Sequence, residues 1–312
     1  MAVALAMLLL AFALDHWFGE PPARWHPVVW MGRYLGWAGA RIAPLAGAAS
    51  SRHVFARGAL AWLAGALLVL MLAVLLDQAL RALPGWAAAV LGAIALKPLL
   101  AWRMLREETA AVERALDSSL AAGRERLSRL VSRDVTQLDE DTVRESAIES
   151  LAENLNDSVV APVFWFVLLG LPGAALYRFA NTADAMWGYR GERGGRVWEQ
   201  AGKCAARADD VLSWLPARLT ALLIALARRG LAWAVLRREA GRTDSPNSGW
   251  PMAAMALALD VRLGKPGVYT LNAQARPPLA ADGQQAQAIA ARAVVLLLVL
   301  ATLAITLRAW NA

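Results

Sequence analysis

The chain has 312 residues, 58% of them hydrophobic and only 18% charged, with a mean hydropathy of +0.40. Soluble domains average roughly 45–50% apolar and about 25% charged, so disorder, collagen and coiled coil are excluded and a membrane protein is expected. The net charge is +7, which in such a chain suits cytoplasmic loops facing anionic lipid better than nucleic acid, and no nucleic-acid partner is expected. Fourteen tryptophans against 4 tyrosines and 6 phenylalanines fit anchoring at a membrane interface. The single cysteine, Cys204, excludes an intrachain disulfide and a cysteine-based zinc site.

The first 14 residues are uncharged and apolar, without the basic start or the small-residue cleavage site of a signal peptide, which predicts a retained helix ending near Phe18. The stretch 15–57 is polar and rich in Trp, Pro and His. His26, followed by Pro27, is placed to orient a carboxylate or to move a proton. Residues 58–80 form the clearest span, interrupted only by Asp77 and Gln78. A third helix is predicted over 86–102, with Lys97-Pro98 inside it as a kink or a polar lining. The segment 159–180 is broken by Gly170-Leu171-Pro172-Gly173, so a broken helix or re-entrant hairpin fits as well as a straight crossing. Further spans are predicted at 211–227 and 293–309. The expected fold is all-α: a polytopic helical membrane protein of five or six spans. It is read as a single domain over 1–312, with 103–158 as a cytosolic helical insertion.

Residues 140–157 carry two stripes at four-residue spacing. Val143, Ala147, Leu151 and Leu155 are apolar, whereas Glu145, Glu149, Glu153 and Asp157 are acidic. Thr142 and Glu145 fit a capping box. No Lys or Arg occurs from 145 to 177, and the like-charge pairs of the ladder together cost roughly 1 kcal/mol even in water. The ladder by itself fits a solvated acidic face or a site for a metal or an amine equally well. Beyond the next apolar segment, Asn181 and Asp184 share a helical face, and a Gly- and Arg-rich loop follows from Gly188 to Arg196. Arg207, Asp209 and Asp210 come next, then Arg218 within an apolar run, where a charge is a functional candidate. No Walker A sequence is present.

Five ordered motifs resemble the membrane-bound adenosylcobinamide-phosphate synthases of cobalamin biosynthesis, the CobD/CbiB family. The first runs through Asp15, Gly19, Glu20, Pro21, His26, Pro27, Val28 and Gly32. The second is Glu149, Ser150, Ala152, Glu153, Asn154 and Asp157. The third is Asn181, Thr182, Asp184, Met186, Gly188, Tyr189 and Arg190. The fourth joins Ala206, Arg207, Asp209 and Asp210 to Pro216-Ala217-Arg218-Leu219-Thr220, and the fifth is Ser245, Pro246, Asn247, Gly249, Trp250 and Pro251. The chain departs from the family's pattern at Ser158, at Gly194-Gly195-Arg196 and at 271–276.

The resemblance implies ATP-dependent amide ligation of aminopropanol, as its O-phosphate, to a side-chain carboxyl of adenosylcobyric acid through an acyl phosphate. It implies a multi-pass protein of the cell (inner) membrane, in contact with lipid, with a cytoplasmic active site and the option of a homo-oligomer. ATP, magnesium and the corrinoid substrate come with it. Magnesium is expected on Glu149, Glu153, Asp157 and Asp184. Arg190, Arg207 and Arg218 are expected to grip phosphate, and Asp209 or Asp210 to take the ammonium proton. Asn154, Asn181 and Asn247 are expected on the corrin amides, with His26 and Tyr189 also on substrate. The alternatives are a non-catalytic AmpE-like membrane sensor and a transporter with a polar site at mid-membrane.

Overall fold

A computed structural model describes residues 2–46, 52–228 and 230–310. It is helical almost throughout. Five of its helical stretches are long and apolar enough to cross a membrane: Arg52–Arg81, Gly85–Leu116, Glu140–Trp187, Lys203–Ala227 and Ala280–Arg308. This is an all-α polytopic membrane protein. Trp17, Trp25, Trp30, Trp37, Trp86, Trp214 and Trp233 are exposed. The chain divides into two compact units: residues 1–101, 161–213 and 304–312, and residues 102–160 and 214–303.

In the first unit α1 (Ala2–Phe18) packs along α4 (Gly85–Leu96), while α2 (Pro27–Ile42) and α8 (Ala161–Trp187) pack against α3 (Arg52–Arg81). Glycines set the close approaches. A Cβ on Gly92 would strike the Met7 side chain, and one on Gly65 would strike Phe179 and Tyr34. The 30 residues of α3 extend about 45 Å at 1.5 Å per residue, and leucines such as Leu60, Leu67 and Leu72 point outward along it.

Two predicted breaks take definite form here. The helix expected over 86–102 stops at Leu96, and a 3₁₀ turn over Lys97–Leu99 follows. Pro98 has no N–H to continue the ladder. Lys97 is buried, with its ammonium 3.4 Å from Asp15 Oδ1 and 2.8 Å from Glu20 Oε2. His26 Nε2 lies 3.0 Å from the same Glu20 oxygen, and its Nδ1 accepts the Val28 N–H to cap α2. That cap leaves the ring proton on Nε2, facing the carboxylate. In α8 the backbone leaves helical geometry at Gly170 (φ 69°, ψ −158°), with Pro172 just beyond. The carbonyls freed by this break, those of Val167 and Leu168, accept from Arg308 Nη1 at 2.6 and 3.1 Å.

The second unit holds α5 (Trp102–Leu116), α6 (Leu120–Leu127), α7 (Glu140–Leu155), α10 (Trp233–Ala240), α11 (Gly249–Leu259) and α12 (Ala280–Trp310). Helix α9 (Lys203–Ala227) contributes its residues from Trp214 onward. Val112, Leu116, Leu127, Val135, Val143 and Ala147 make a core in which the 103–158 stretch folds on itself. That stretch also packs on α11 and on the hairpin of β3 (Leu263–Lys265) and β4 (Tyr269–Leu271), registered by Leu263 opposite Leu271. The capping box at Thr142 does not form. Asp139 is the N-cap, accepting from the Thr142 N–H and hydroxyl, so Thr142 lies inside the helix, and Glu145 accepts from Arg262 instead.

Lys97→Met takes the cation away from the buried Asp15 and the half-buried Glu20, and uncovering one side of a buried ion pair costs about 3–5 kcal/mol. A large drop in thermal unfolding temperature in detergent is expected. Burial pushes the Glu20 carboxyl up, but hydrogen bonds from His26 and Lys97 outweigh it and hold the group below the usual carboxylate range. Its stabilising contribution is therefore complete above the unfolded-state value and is lost as pH falls through the folded one. Unfolding temperature measured against pH should show an acid limb that Glu20→Gln flattens.

Candidate functional site

The acidic ladder of α7 finds its counter-charges in distant parts of the chain. Glu145 is buried and accepts from Arg262 Nε at 2.9 Å. Glu149 is also buried, with Oε2 3.5 Å from Arg133 Nη2. Its Oε1 has no hydrogen-bond partner among the described residues. Arg133 also donates to Ser146 Oγ. The ladder is thus neither a solvated face nor a bare acidic patch.

The second unit has a cavity of 340 Å³ above this face. Glu149, Ser150, Glu153 and Asn154 of α7 line one side, and the segment from Leu130 to Arg133 lines another. Thr243, Asp244, Ser245, Ser248 and Met252 close the third side, and Lys265 and Tyr269 of the hairpin complete it. Carboxylates, cations and hydroxyls therefore face one hollow. Burial, and then the negative charge of Glu149, pushes the Tyr269 phenol up, so it stays a protonated donor. Asn154 Nδ2 donates to Ser150 O at 2.9 Å, which aims its side chain along the helix.

The wall at 243–252 is held rigidly. Ser245 Oγ accepts the N–H groups of Asn247 and Ser248 at 3.2 Å, an ST-turn leading into α11. A Cβ on Gly249 would collide with the Ala240 carbonyl, so only glycine lets this segment abut α10. Arg218 of α9 clamps it from outside. Its Nη1 donates to Asn247 Oδ1 at 2.7 Å and its Nη2 to Pro246 O at 3.0 Å. The guanidinium lies between Trp214 and Trp250, 4.5 and 4.8 Å from the ring centroids. Arg218 and Asn247, expected on phosphate and on corrin amide, are here bound to each other.

The model for the CobD/Cbib protein family matches residues 8–308. The chain belongs to the CobD/CbiB family. It is 41% identical over 274 residues to a probable cobalamin biosynthesis protein CobD of Methanothermobacter thermautotrophicus, covering 86% of each chain. It is 39% identical over 312 residues to the cobalamin biosynthesis protein CobD of Rhodobacter capsulatus, covering 93% of each. With the probable CobD of Thermococcus kodakarensis it shares 44% identity over 269 residues, 85% of this chain and 84% of that one. No solved structure matches. The chain is a cobalamin biosynthesis protein of the CobD type.

The second, fourth and fifth CobD/CbiB motifs thus contribute to the second unit's cavity or to its clamp. The other expected site residues lie in the first unit. His26 joins the Lys97 cluster. Asn181 Oδ1 faces Arg178 Nη1 at 3.4 Å. The Asp184 carboxylate lies over the backbone of Gly188, where a Cβ would strike it, which explains the glycine of the third motif. The Tyr189 hydroxyl donates to Ala185 O at 2.8 Å, and its ring lies beneath the Arg193 guanidinium at 3.8 Å. Arg190 acts electrostatically on Asp210, while Arg207 is exposed on α9 near Asp209 in sequence. In the second unit, Asp157 accepts from Asn156 Nδ2 at 2.7 Å, within the π-helical turn Asn156–Val160.

Among the described residues no group of three or more His, Cys, Asp or Glu side chains is arranged to hold a metal ion. Within the second unit Glu149, Glu153 and Asp157 do not form a ready-made cage, because Glu149 is turned to Arg133 and Asp157 to Asn156, while Asp184 belongs to the first unit. Sequence reasoning missed Arg133, Lys265 and Tyr269. None sits in a motif, and only the fold brings them to α7.

Arg218→Ala should loosen the 245–250 wall. Loss of hydrogen bonds from a charged donor lowers stability by roughly 2 kcal/mol. A red shift of tryptophan emission, as Trp214 and Trp250 lose their partner, is the readout, together with faster proteolysis near Pro246. Arg218→Lys should rescue only part of it, because an ammonium lacks the planar fork.

Proposed function

We propose that this protein carries out the amide-forming step of its pathway: ATP-dependent ligation of an aminopropanol, as its O-phosphate, to a side-chain carboxyl of adenosylcobyric acid. The observation that carries the reading is the cavity of the second unit, where carboxylates, cations and hydroxyls from four segments of the chain meet. A carboxylate is a poor acyl donor, so it needs activation. Its oxygen attacks the γ-phosphorus of ATP, the bond to the β-phosphate oxygen breaks, and ADP leaves. The amine nitrogen then attacks the acyl carbon, the carbon–oxygen bond to phosphate breaks, and phosphate leaves as the nitrogen loses its proton.

The chain's own groups suit these demands. Arg133 and Lys265 supply positive charge for phosphate oxygens. The Tyr269 and Ser245 hydroxyls offer neutral hydrogen bonds beside them. Glu153 faces the cavity and suits a substrate ammonium, and Glu149 is the nearer candidate to accept its proton. Asp209 and Asp210, expected as the base, belong to the first unit, as do Asp184, Arg190 and Arg207.

The unpartnered buried Oε1 of Glu149 is an acceptor that a cation would satisfy. One or two carboxylates together with substrate phosphates is an ordinary environment for magnesium. Glu149 and Glu153 would hold it, and the ion would screen nucleotide charge. In this reading the need for ATP has the site face the cytoplasm and the protein lie in the inner membrane.

Purified protein in detergent, given adenosylcobyric acid, aminopropanol phosphate and Mg-ATP, should yield the amide by mass spectrometry, with one ADP per amide. Glu153→Gln should lower kcat/KM by about 10²-fold or more. Absence of product from the native protein in several lipids would overturn the ligase reading, and unchanged turnover of Glu153→Gln would remove that carboxylate from the site.

A further inference from the structure

A second polar hollow, of 410 Å³, lies on the other side of α7 from the cavity just described, between α5, α7 and the start of α12. Arg106, Arg114 and Arg144 line it, with Glu113 and Asp117. The charge of Arg144 is already spent on Glu113 at 2.8 Å and Glu140 at 2.6 Å. Arg106 and Arg114 are exposed and meet no carboxylate among the described residues; Arg106 only stacks on Trp102 at 5.5 Å. The floor is apolar, made by Ile148, Leu151 and Ala288 among others.

A third hollow, of 520 Å³, continues from it. Leu226, Ala227, Val295 and Leu296 line this one, with Arg292 at its edge, and Ala291 lines both. Along α12 the lining residues Gln284, Ala288, Ala291 and Val295 follow one another at steps of three or four, a single helical stripe. The stripe begins in the polar first turns and ends in the apolar run that crosses the membrane. A basic end thus opens directly onto an apolar channel between two candidate spans.

We propose that this continuous groove along α12 is a binding site for one anionic phospholipid. Its phosphate is held by Arg106 and Arg114, and an acyl chain lies past Ala291 against Leu226 and Val295. Basic pockets beside membrane helices suit phospholipid headgroups, and an apolar trough that a soluble anion would leave unfilled adjoins this one. A lipid without net charge carries its own ammonium beside the phosphate and so gains little from Arg106 and Arg114. The site is distinct from the ligation cavity and does not depend on the ligase reading.

The test is native mass spectrometry of the full-length protein, delipidated in detergent and titrated with phosphatidylglycerol or phosphatidylcholine. One phosphatidylglycerol should be retained, at least about tenfold more tightly than phosphatidylcholine, as two charge-assisted contacts imply. Arg106→Gln/Arg114→Gln should abolish that preference while leaving phosphatidylcholine retention unchanged. Ala288→Phe, which fills the hollow and spares the arginines, should also lose the bound lipid. Equal retention of the two lipids, undiminished phosphatidylglycerol binding by both variants, or displacement of the lipid by millimolar inorganic phosphate would each overturn the proposal. Circular dichroism of the variants separates loss of the site from loss of the fold.

Discussion

Charges buried in an apolar protein must be matched, and the matching partners of this chain come from far along it. Helix α7 carries Glu145 and Glu149 on a buried face, and neither could stay ionised there alone. Arg262 and Arg133 meet them. Those two contacts pin the β3–β4 hairpin and the 130–133 segment against α7, so the cavity lined by Glu149, Glu153, Lys265 and Tyr269 is a by-product of neutralisation. Such pairs add little net stability over a hydrophobic replacement, while breaking one is costly. Their contribution here is positional.

The first unit answers the same constraint differently. One cation, Lys97, serves two carboxylates, Asp15 and Glu20, and His26 covers the remaining side of Glu20. The cluster joins the end of α1, the start of α2 and the turn after α4, where three helices are interrupted. The first family motif is thereby explained as architecture. Asp15 and Glu20 answer the charge of Lys97, and His26, which bonds Glu20, additionally caps its own helix.

The helices were largely legible because apolar length is a local property of the chain. The spans and the break at Gly170 follow from residue type and spacing alone, as does the acidic stripe of α7. What was not legible is pairing across distance. Nothing in 145–177 hints that Arg133 and Arg262 neutralise Glu149 and Glu145, so the ladder read equally as a solvated face or a metal site. The capping box at Thr142 failed for a local reason, since Asp139 caps the helix upstream and leaves Thr142 inside it. Arg218 drew attention as a charge in an apolar run, and its aromatic and amide partners, Trp250 and Asn247, lie in a different motif. The cavity's best new residues, Lys265 and Tyr269, stand in a short hairpin that no pattern flagged.

The contact of Arg308 with the carbonyls of Val167 and Leu168 bears on how the protein is made. Helix α8 leaves the ribosome long before α12, and its broken turn at Gly170 then enters the bilayer with bare acceptors that lipid cannot satisfy. They are satisfied once α12 arrives. The first unit draws on residues 1–101, 161–213 and 304–312, so its assembly waits for α12, and a nascent chain halted before that helix holds an unsealed crossing.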